Sequence, residues 1–507
     1  MHPCNCSTSA QRIRLASSML AHEGKYGFVS ELSRENDISC QSLYKLRAKG
    51  REGMKHVFYP KEQETEEDAR LTKAVLTLLV EAHASREGIK SCIEKLLGIH
   101  VSLGKISSII HQAGKQAQEY LKYCIPQGKK ALALDEQYAN ERGKGYLNIV
   151  DVLSGVVVAS IPPVAVDTES WTLLLWQMQE QGLKWDMTVS DGGKAIQSAV
   201  QQVAPDSIHQ RDVWHVLHEC QKVQRRIDRA VIQLQEQTLT VEQQAKRVEA
   251  GQKPRGRNPK TDVIAHAKDV HQMEYIASSL KYLSSEFQTL LGIVVLKEHG
   301  ILGSKERQEE LDTLMSLFSE LHEVTPKPLK EEVKKLVHHI QLALPGLVCF
   351  CTELDPVQKS AQKLLGEQAC HLIGWAWLRR GILGPKTKQL AADFPSAWQP
   401  TVTTLLEAWD QAVRSSSAVE NWHSILRPHL AVHRGLSADL LALLAVWHNH
   451  RVAPRGLHQG QSPLMRAGLA KQPTDWLAAL RSPHLIQAQL APSSRDSAEL
   501  QTESIAA

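Results

Sequence analysis

The chain has 507 residues, 42% hydrophobic and 22% charged, a composition that suits a globular chain with material for several cores. Its longest apolar runs, such as Leu440 to Trp447, are too short for a bilayer, Met1-His2-Pro3-Cys4 lacks a secretory pattern, and nine scattered cysteines form no disulfide framework. Membrane, secreted and collagen-like classes are thereby excluded and a reducing, cytoplasmic setting is expected, while 59 basic against 55 acidic residues leave only local charge clusters to indicate partners.

Gln11 to His22 reads as a first helix, followed by the breaker Gly24. Phe28 to Asn36 reads as a second, and Asp37-Ile38-Ser39 as a turn whose serine caps the next helix. Cys40 to Lys49 is the third, with Leu43 and Leu46 inward and Gln41, Ser42, Tyr44, Lys45 and Arg47 outward. Lys45, Arg47, Lys49, Arg51 and Lys55 face the single acid Glu52. Two short helices about a tight turn, the second polar and basic, suit a major groove; a solvated helix face explains the charge alone equally well. The run from Phe28 to Arg47 resembles the N-terminal helix-turn-helix of many insertion-sequence transposases. That resemblance makes Gln41, Ser42, Tyr44, Lys45, Arg47, Lys49 and Arg51 the DNA-contact candidates.

An acidic linker, Glu62 to Asp68, precedes a second helical unit. Leu71 to Ala82 is apolar at helical spacing, Arg86 to Leu97 is closed by Gly98, and Val101-Ser102 opens a long helix to about Tyr123. This unit reads as helix-turn-helix-like or as a plain bundle.

The period then changes. Ala131 to Asp135 is a short apolar strand ending on a carboxylate. Tyr146 to Val152 and Val156 to Ile161 form a hairpin about Leu153-Ser-Gly155, stopped by Pro162-Pro163. Trp171 to Glu180 is a helix with Asp167 or Thr168 as cap. Met187 to Ser190 is a strand that also ends on an acid, Asp191, and Gly192-Gly193 turns the chain into a helix bearing Ile196, Val200 and Val203. Ser207 to Arg211 is a weak fifth strand leading to Asp212-Val-Trp-His215. A three-strand meander followed by helix, strand, helix and strand is the order of an RNase H-like core.

From about Cys220 to Arg414 helical patterns dominate: Val223 to Glu249, Thr261 to Leu283, Gln308 to Leu321, Leu329 to Leu342, Val357 to Leu378 and Val402 to Val413. A second basic stretch, Lys253 to Lys260, lies among them. Beyond come Ser415-Ser-Ser-Ala-Val-Glu420-Asn421-Trp-His-Ser-Ile-Leu-Arg427, an apolar helix over Leu440 to Val446, and Ser462-Pro-Leu464 with Gly468.

In-line phosphodiester cleavage needs two divalent ions about 3.5–4 Å apart, held by hard oxygen ligands. Asp135 and Asp191 would lie side by side at adjacent strand ends, and Glu420 is the best third acid; Glu407 lacks its Asn and Arg neighbours. Asp135 with Glu136, Asp191 in Ser-Asp-Gly-Gly, Asp212-x-x-His215, and Glu420-Asn421 with Arg427 together resemble the signature of DDE transposases that carry a helical insertion before the last acid. That resemblance, over about residues 10 to 470, implies that Asp135, Asp191 and Glu420 hold two Mg²⁺ (or Mn²⁺) ions. Each acid also has a plain reading: a turn former at Asp135, a helix cap at Asp191. Glu136 points to the opposite strand face. Asp212, His215, Asn421 and Arg427 are candidates for buttressing the site or touching substrate, and Asp212 with His215 could equally be a structural pair. Cys4-x-Cys6 beside His2 is a weak metal group, Cys349 and Cys351 read as buried, and no nucleotide-binding loop occurs.

The expected fold is therefore α/β: an RNase H-like core with a mixed five-stranded sheet, interrupted by a large all-helical insertion and preceded by helix-turn-helix units. The expected domains are 1–60 (helix-turn-helix, DNA-binding), 61–128 (a second helical, helix-turn-helix-like unit), 129–219 (first part of the core), 220–414 (insertion), 415–472 (last part of the core) and 473–507 (a partly disordered tail). The expected function is DNA transposition by Mg²⁺-dependent strand cleavage and transfer. The partners would be terminal inverted repeats and target double-stranded DNA, with a homodimer or larger assembly. The alternative is a non-catalytic, transposase-derived DNA-binding protein.

Overall fold

The computed structural model describes residues 8–58, 66–126, 130–252, 259–327, 329–383, 392–456 and 458–481. The His2, Cys4 and Cys6 group, the first part of the acidic linker, most of the 253–260 basic stretch and the chain after 481 lie outside the described residues. Contacts divide the chain into two compact units, Met1–Leu78 and Leu79–Ala507. No single helix among the described residues is long and apolar enough to cross a membrane.

In the first unit, α1 (Ser9–Ala21), α2 (Phe28–Asn36) and α3 (Cys40–Phe58) enclose Leu15, Met19, Leu32, Ile38 and Leu43. The α2–α3 turn passes through Asp37 at φ 51°, and the Ser39 hydroxyl accepts the Ser42 amide at 3.2 Å. Helix α3 runs nine residues past the expected Lys49. Gly50 does not end it, because that glycine sits where α3 crosses Ala16 and Leu20 of α1. Helix α4 (Glu66–Val80) also starts early: Glu66, Glu67 and Asp68 form its first turn, where the helix dipole favours acids, rather than a linker.

The second unit is built on a mixed sheet with strand order β3-β2-β1-β5-β6. Strands β1 (Ala131–Tyr138), β2 (Lys144–Asp151) and β3 (Val157–Ser160) are an antiparallel meander, and β5 (Met187–Ser190) and β6 (Ile208–Arg211) add in parallel. A two-residue strand, β4 (Val164–Ala165), pairs with β2 and makes the sheet six-stranded rather than five. Strand β1 does not end at Asp135; Glu136 to Tyr138 continue pairing with β2, so the acid sits mid-strand. Helices α7 (Thr168–Glu180), capped by Asp167, and α8 (Lys194–Val203) cover one face with Trp171, Leu175, Ile196 and Val200. The architecture is compatible with an RNase H-like core.

Among the described residues between 213 and 410, helices joined by short turns predominate, with one small hairpin, β7 (Leu296–Lys297) and β8 (Gly300–Ile301). Helices α9 (Val213–Glu249), α10 (Pro259–Leu290), α11 (Ser304–Val324) and α12 (Lys330–Leu347) share one apolar core. The expected helix from Val357 to Leu378 is two, α13 (Cys349–Leu365) and α14 (Glu367–Leu378), broken at Gly366, whose φ of 85° no helix allows. These pack with Gln399–Asp410 in a second core. Gln210 of β6 donates to the Leu347 carbonyl at 2.9 Å and accepts the Phe350 amide at 3.1 Å, so the α12–α13 junction covers this sheet edge.

Helices α5 (Arg86–Leu97) and α6 (Leu103–Leu121), capped by Ser85 and Ser102, follow the expected bounds closely. Gly114 lets α6 cross the apolar helix Ala438–His450 closely, because a Cβ there would overlap Asp439. At the start of the stretch expected as a partly disordered tail, Trp476–Arg481 is a short helix that buries Trp476 and Leu480. In the apolar helix, His448 donates to the Gly155 carbonyl at 3.0 Å, and His450 bonds Tyr120 at 2.7 Å and Thr474 at 2.9 Å. Burial pushes both imidazoles down to about 4, so they are neutral in the fold. The unfolded chain takes up protons between its ordinary histidine value of about 6.5 and about 4 that the folded chain refuses. Stability present above that window is expected to fall as pH drops through it. Melting temperatures from about pH 7 to about pH 5 should decline, and His450→Gln should make the decline shallower.

Candidate active site

Asp135 owes its position to sheet register. Ala133 pairs in parallel with Val189, so two residues further on Asp135 of β1 comes level with Asp191 beyond β5. Asp191 itself accepts the Gly193 amide at 2.8 Å, which fixes the turn into α8. Burial, followed by the charges of Asp191, Glu136 and Glu420, pushes the Asp135 carboxyl up to about 8. Glu136, on the other strand face with Tyr138, is raised by burial and by Asp191.

Glu420 enters from the first turn of the helix Ser417–Val432. One ligand-capable atom each from Asp135, His215 and Glu420 lie within 4.8 Å of one another, three side chains from segments far apart in the chain. Arg427, two turns along the same helix, reaches the Glu420 carboxylate at 3.2 Å. Asn421 lies exposed on the same helix.

Asp212 and His215 do not pair. Asp212 is the cap of α9, accepting the Trp214 amide at 2.6 Å, and it takes the Ser416 amide at 2.8 Å together with the Ser416 hydroxyl. Since the Val213 amide donates to the Arg414 carbonyl at 3.0 Å, the start of α9 is clasped to the segment that launches the Glu420 helix. His215, one turn into α9, goes to the acids. In the first unit, Gln41, Tyr44, Lys45, Lys49 and Arg51 of α3 are exposed, Ser42 bonds the Ser39 hydroxyl, and Arg47 and Arg51 share an ion pair with Glu23.

Residues 51–253 match the model of the family described as "Transposase, Mutator family". That stretch includes Asp135, Asp191, Asp212 and His215; Glu420 lies beyond it. A curated relative, "Transposase for insertion sequence element IS905" of Lactococcus lactis subsp. lactis (strain IL1403), is 26% identical over 181 residues. An insertion-sequence transposase is what both likenesses support. The alignment covers 34% of this chain and about half, 46%, of the relative's length.

Three residues around this transposase-like site had no role assigned from sequence. His423 is buried between two of the acids, its Nδ1 at 3.7 Å from Asp135 and 3.9 Å from Glu420. Asn148, paired with Asp135 across β1 and β2, uses its two amide protons on the Tyr146 carbonyl (3.0 Å) and His423 Nε2 (3.1 Å). Its oxygen accepts from Trp422 (3.0 Å) and Ser160 (2.7 Å), so the amide is fully satisfied and its orientation fixed. His423 Nε2 is then an acceptor and Nδ1 carries the proton toward the carboxylates; burial pushes the imidazole down to about 4, so it stays neutral. In the sequence His423 is only a histidine three residues past Glu420 and Asn148 only a lone amide inside an apolar strand, and neither marks a site until β2 and the Glu420 helix are side by side.

The third is Arg211. Its guanidinium donates to the Gly192 carbonyl at 2.8 Å, and its stem threads past Gly346. Gly192 has φ 85°, and a Cβ there would land on that guanidinium. Gly192→Ala is therefore expected to destabilise by about 2 kcal/mol or more, from left-handed strain and overpacking together. In an Arg211→Ala background only the strain remains, so urea unfolding of the double-mutant cycle should be non-additive by about 1 kcal/mol. Strict additivity would mean Arg211 does not set the conformation of the Asp191 turn.

Proposed function

We propose that this chain is a DDE transposase whose Asp135, Asp191 and Glu420 hold two Mg²⁺ or Mn²⁺ ions on an RNase H-like core. The observation that carries the reading is the convergence of Asp135, His215 and Glu420 within 4.8 Å, with Asp191 close enough to raise Asp135. The donor set fits hard divalent cations: carboxylate oxygens predominate, and their mutual repulsion in a buried place is what a cation relieves. Such ions would supply activation of the attacking oxygen and charge stabilisation at the phosphate and the leaving oxygen.

The chain's own residues do the rest. Burial of Asp135 limits water around the reacting group. His423, neutral and fixed by Asn148, separates Asp135 from Glu420 without adding charge, and Arg427 orients Glu420. The Asp212–Ser416 clasp keeps α9, and with it His215, at a constant distance from the Glu420 helix. His215 stands at the cluster as a further ligand or substrate contact. The chain leaves the sheet at Val213 and returns at Arg414 through adjacent hydrogen-bonded residues, which supports reading the helices between as an insertion. The α2–turn–α3 arrangement, with Lys45 and Lys49 outward, supports recognition of terminal inverted repeats by the first unit. Joint cutting of two ends would require a homodimer or larger assembly on the DNA, in the cytoplasm.

The test is nicking of DNA that carries the element's ends, with and without Mg²⁺. Wild type should cut only with the ion, and Asp191→Ala should lose about a hundredfold or more, the scale of several kcal/mol of lost charge stabilisation. Cutting that Asp191→Ala leaves untouched would reject this site; DNA binding with no cutting by wild type would favour the non-catalytic alternative.

A further inference from the structure

Helix α14 is apolar on both of its sides. Its inner side, Cys370, Ile373, Gly374, Ala376 and Trp377, is buried against the second helical core and the β7–β8 hairpin. Its outer side carries Leu372 at 48%, Trp375 at 39% and Leu378 at 46% exposure, and the strip runs on to Ile382, 89% exposed, in the turn Arg380–Leu383. A helix that is apolar all round is ordinarily covered all round, and an open apolar strip with charged ends marks an interaction surface. The exposure of Trp375 is not a shortage of core space, since Trp377, two residues on, is buried and packs edge-on against Trp409 at 5.7 Å.

The charges at the two ends of the strip select what covers it. Glu367 is the one acid in α14 and stands exposed in its first turn. Arg379, exposed at the other end, lies over the Trp375 ring 4.4 Å from its centroid, while Arg380 turns to Trp377 and Asp410. The strip is therefore acidic at its start, apolar in its middle and basic at its end. Such a surface is complementary to itself when turned around. A two-fold axis between Leu372 and Trp375 sets each copy's Leu372 on the other's Trp375 and brings each Glu367 to the other's Arg379. Parallel pairing would bring like charges together. Duplex DNA, a uniform polyanion, would meet an acid and an apolar centre that offers its phosphates nothing.

We propose that the outer side of α14 seats a second copy of this chain, helix against helix and antiparallel. This gives the homodimer of the transposase reading above a definite face. It rests on that reading for its use in joining two DNA ends, whereas the contact itself needs neither DNA nor metal.

The test measures the mass of the full chain by sedimentation over a range of concentrations, without DNA or Mg²⁺. Wild type should pass from monomer to dimer at about micromolar concentration. Leu372→Glu, which places an acid beside the axis, should weaken the dimer about a hundredfold, with the circular dichroism and melting of wild type because the position is exposed. Glu367→Arg alone and Arg379→Glu alone should each weaken it about tenfold, and the two together in one chain should restore it, because the exchanged charges meet again across the axis. A merely structural defect would not be restored in this way. Wild type that stays monomeric up to about 100 μM would overturn the proposal. So would a dimer that Leu372→Glu leaves intact, or one that the double exchange does not restore. A monomeric wild type whose affinity for DNA falls with Leu372→Glu would assign the face to DNA and overturn it likewise. No cutting is measured, so the two readings fail separately. A monomer that still cuts with Mg²⁺ leaves the acid site standing and removes only this face, and a dimer that never cuts keeps the face and removes the acid site.

Discussion

Asp135 is a buried carboxylate surrounded by other carboxylates, and much of the second unit is arranged around that cost. None of the groups shown to shift it is a cation: burial, Asp191, Glu136 and Glu420 all push its proton affinity up, and only the Glu136 amide opposes them. The nearby positive groups are spent elsewhere, Arg427 on Glu420 and Arg211 on the Gly192 carbonyl. The buried His423 imidazole that faces Asp135 is held neutral. Near neutral pH a proton held on Asp135 relieves that repulsion, and a cation entering the cluster would relieve it in the proton's place.

Such a cluster is useful only if its members cannot drift apart under their own repulsion. Asp135 is fixed by strand pairing on both sides, with β2 and β5 as neighbours. Asp191 is fixed by a left-handed turn that Arg211 spans. Glu420 rides on a helix whose His423 and Trp422 both bond one amide, Asn148, across from Asp135. That amide links β2, the Glu420 helix and Ser160 of β3 through four satisfied hydrogen bonds, a network that costs most when only partly formed.

Much of this frame was legible in the sequence where one physical signal acted alone. The bounds of α2, α5 and β5 follow from a cap, a closing glycine or a β-rich run bounded by turns. The failures came where tertiary contacts overrode local signals. Strand β1 continues through polar Glu136 and Gln137 because β2 offers partners to them, and the Trp476–Arg481 helix is too short for periodicity to reveal. Gly366 was invisible as a break because apolar spacing happens to run on across it. The three acids were legible as a set only through their order along the chain. His423 and Asn148 were not, because a histidine beside a tryptophan and an amide within a strand carry no meaning until the two segments are side by side.

The clasp between Asp212 and Ser416 explains how a long helical region can be carried without loosening the site. Its two ends meet in one buried carboxylate, which binds the Trp214 amide on one side and the Ser416 amide and hydroxyl on the other. One carboxylate thus fixes the start of α9, which carries Trp214 and His215, against the segment that launches the Glu420 helix. Arg414, bonded to the Leu291 carbonyl at 2.9 Å, and Gln210, bonded to Leu347, tie the far side of the same joint to α10 and α12. With these ties at β6 and at the start of α9, the helical region stands in a fixed relation to the acids.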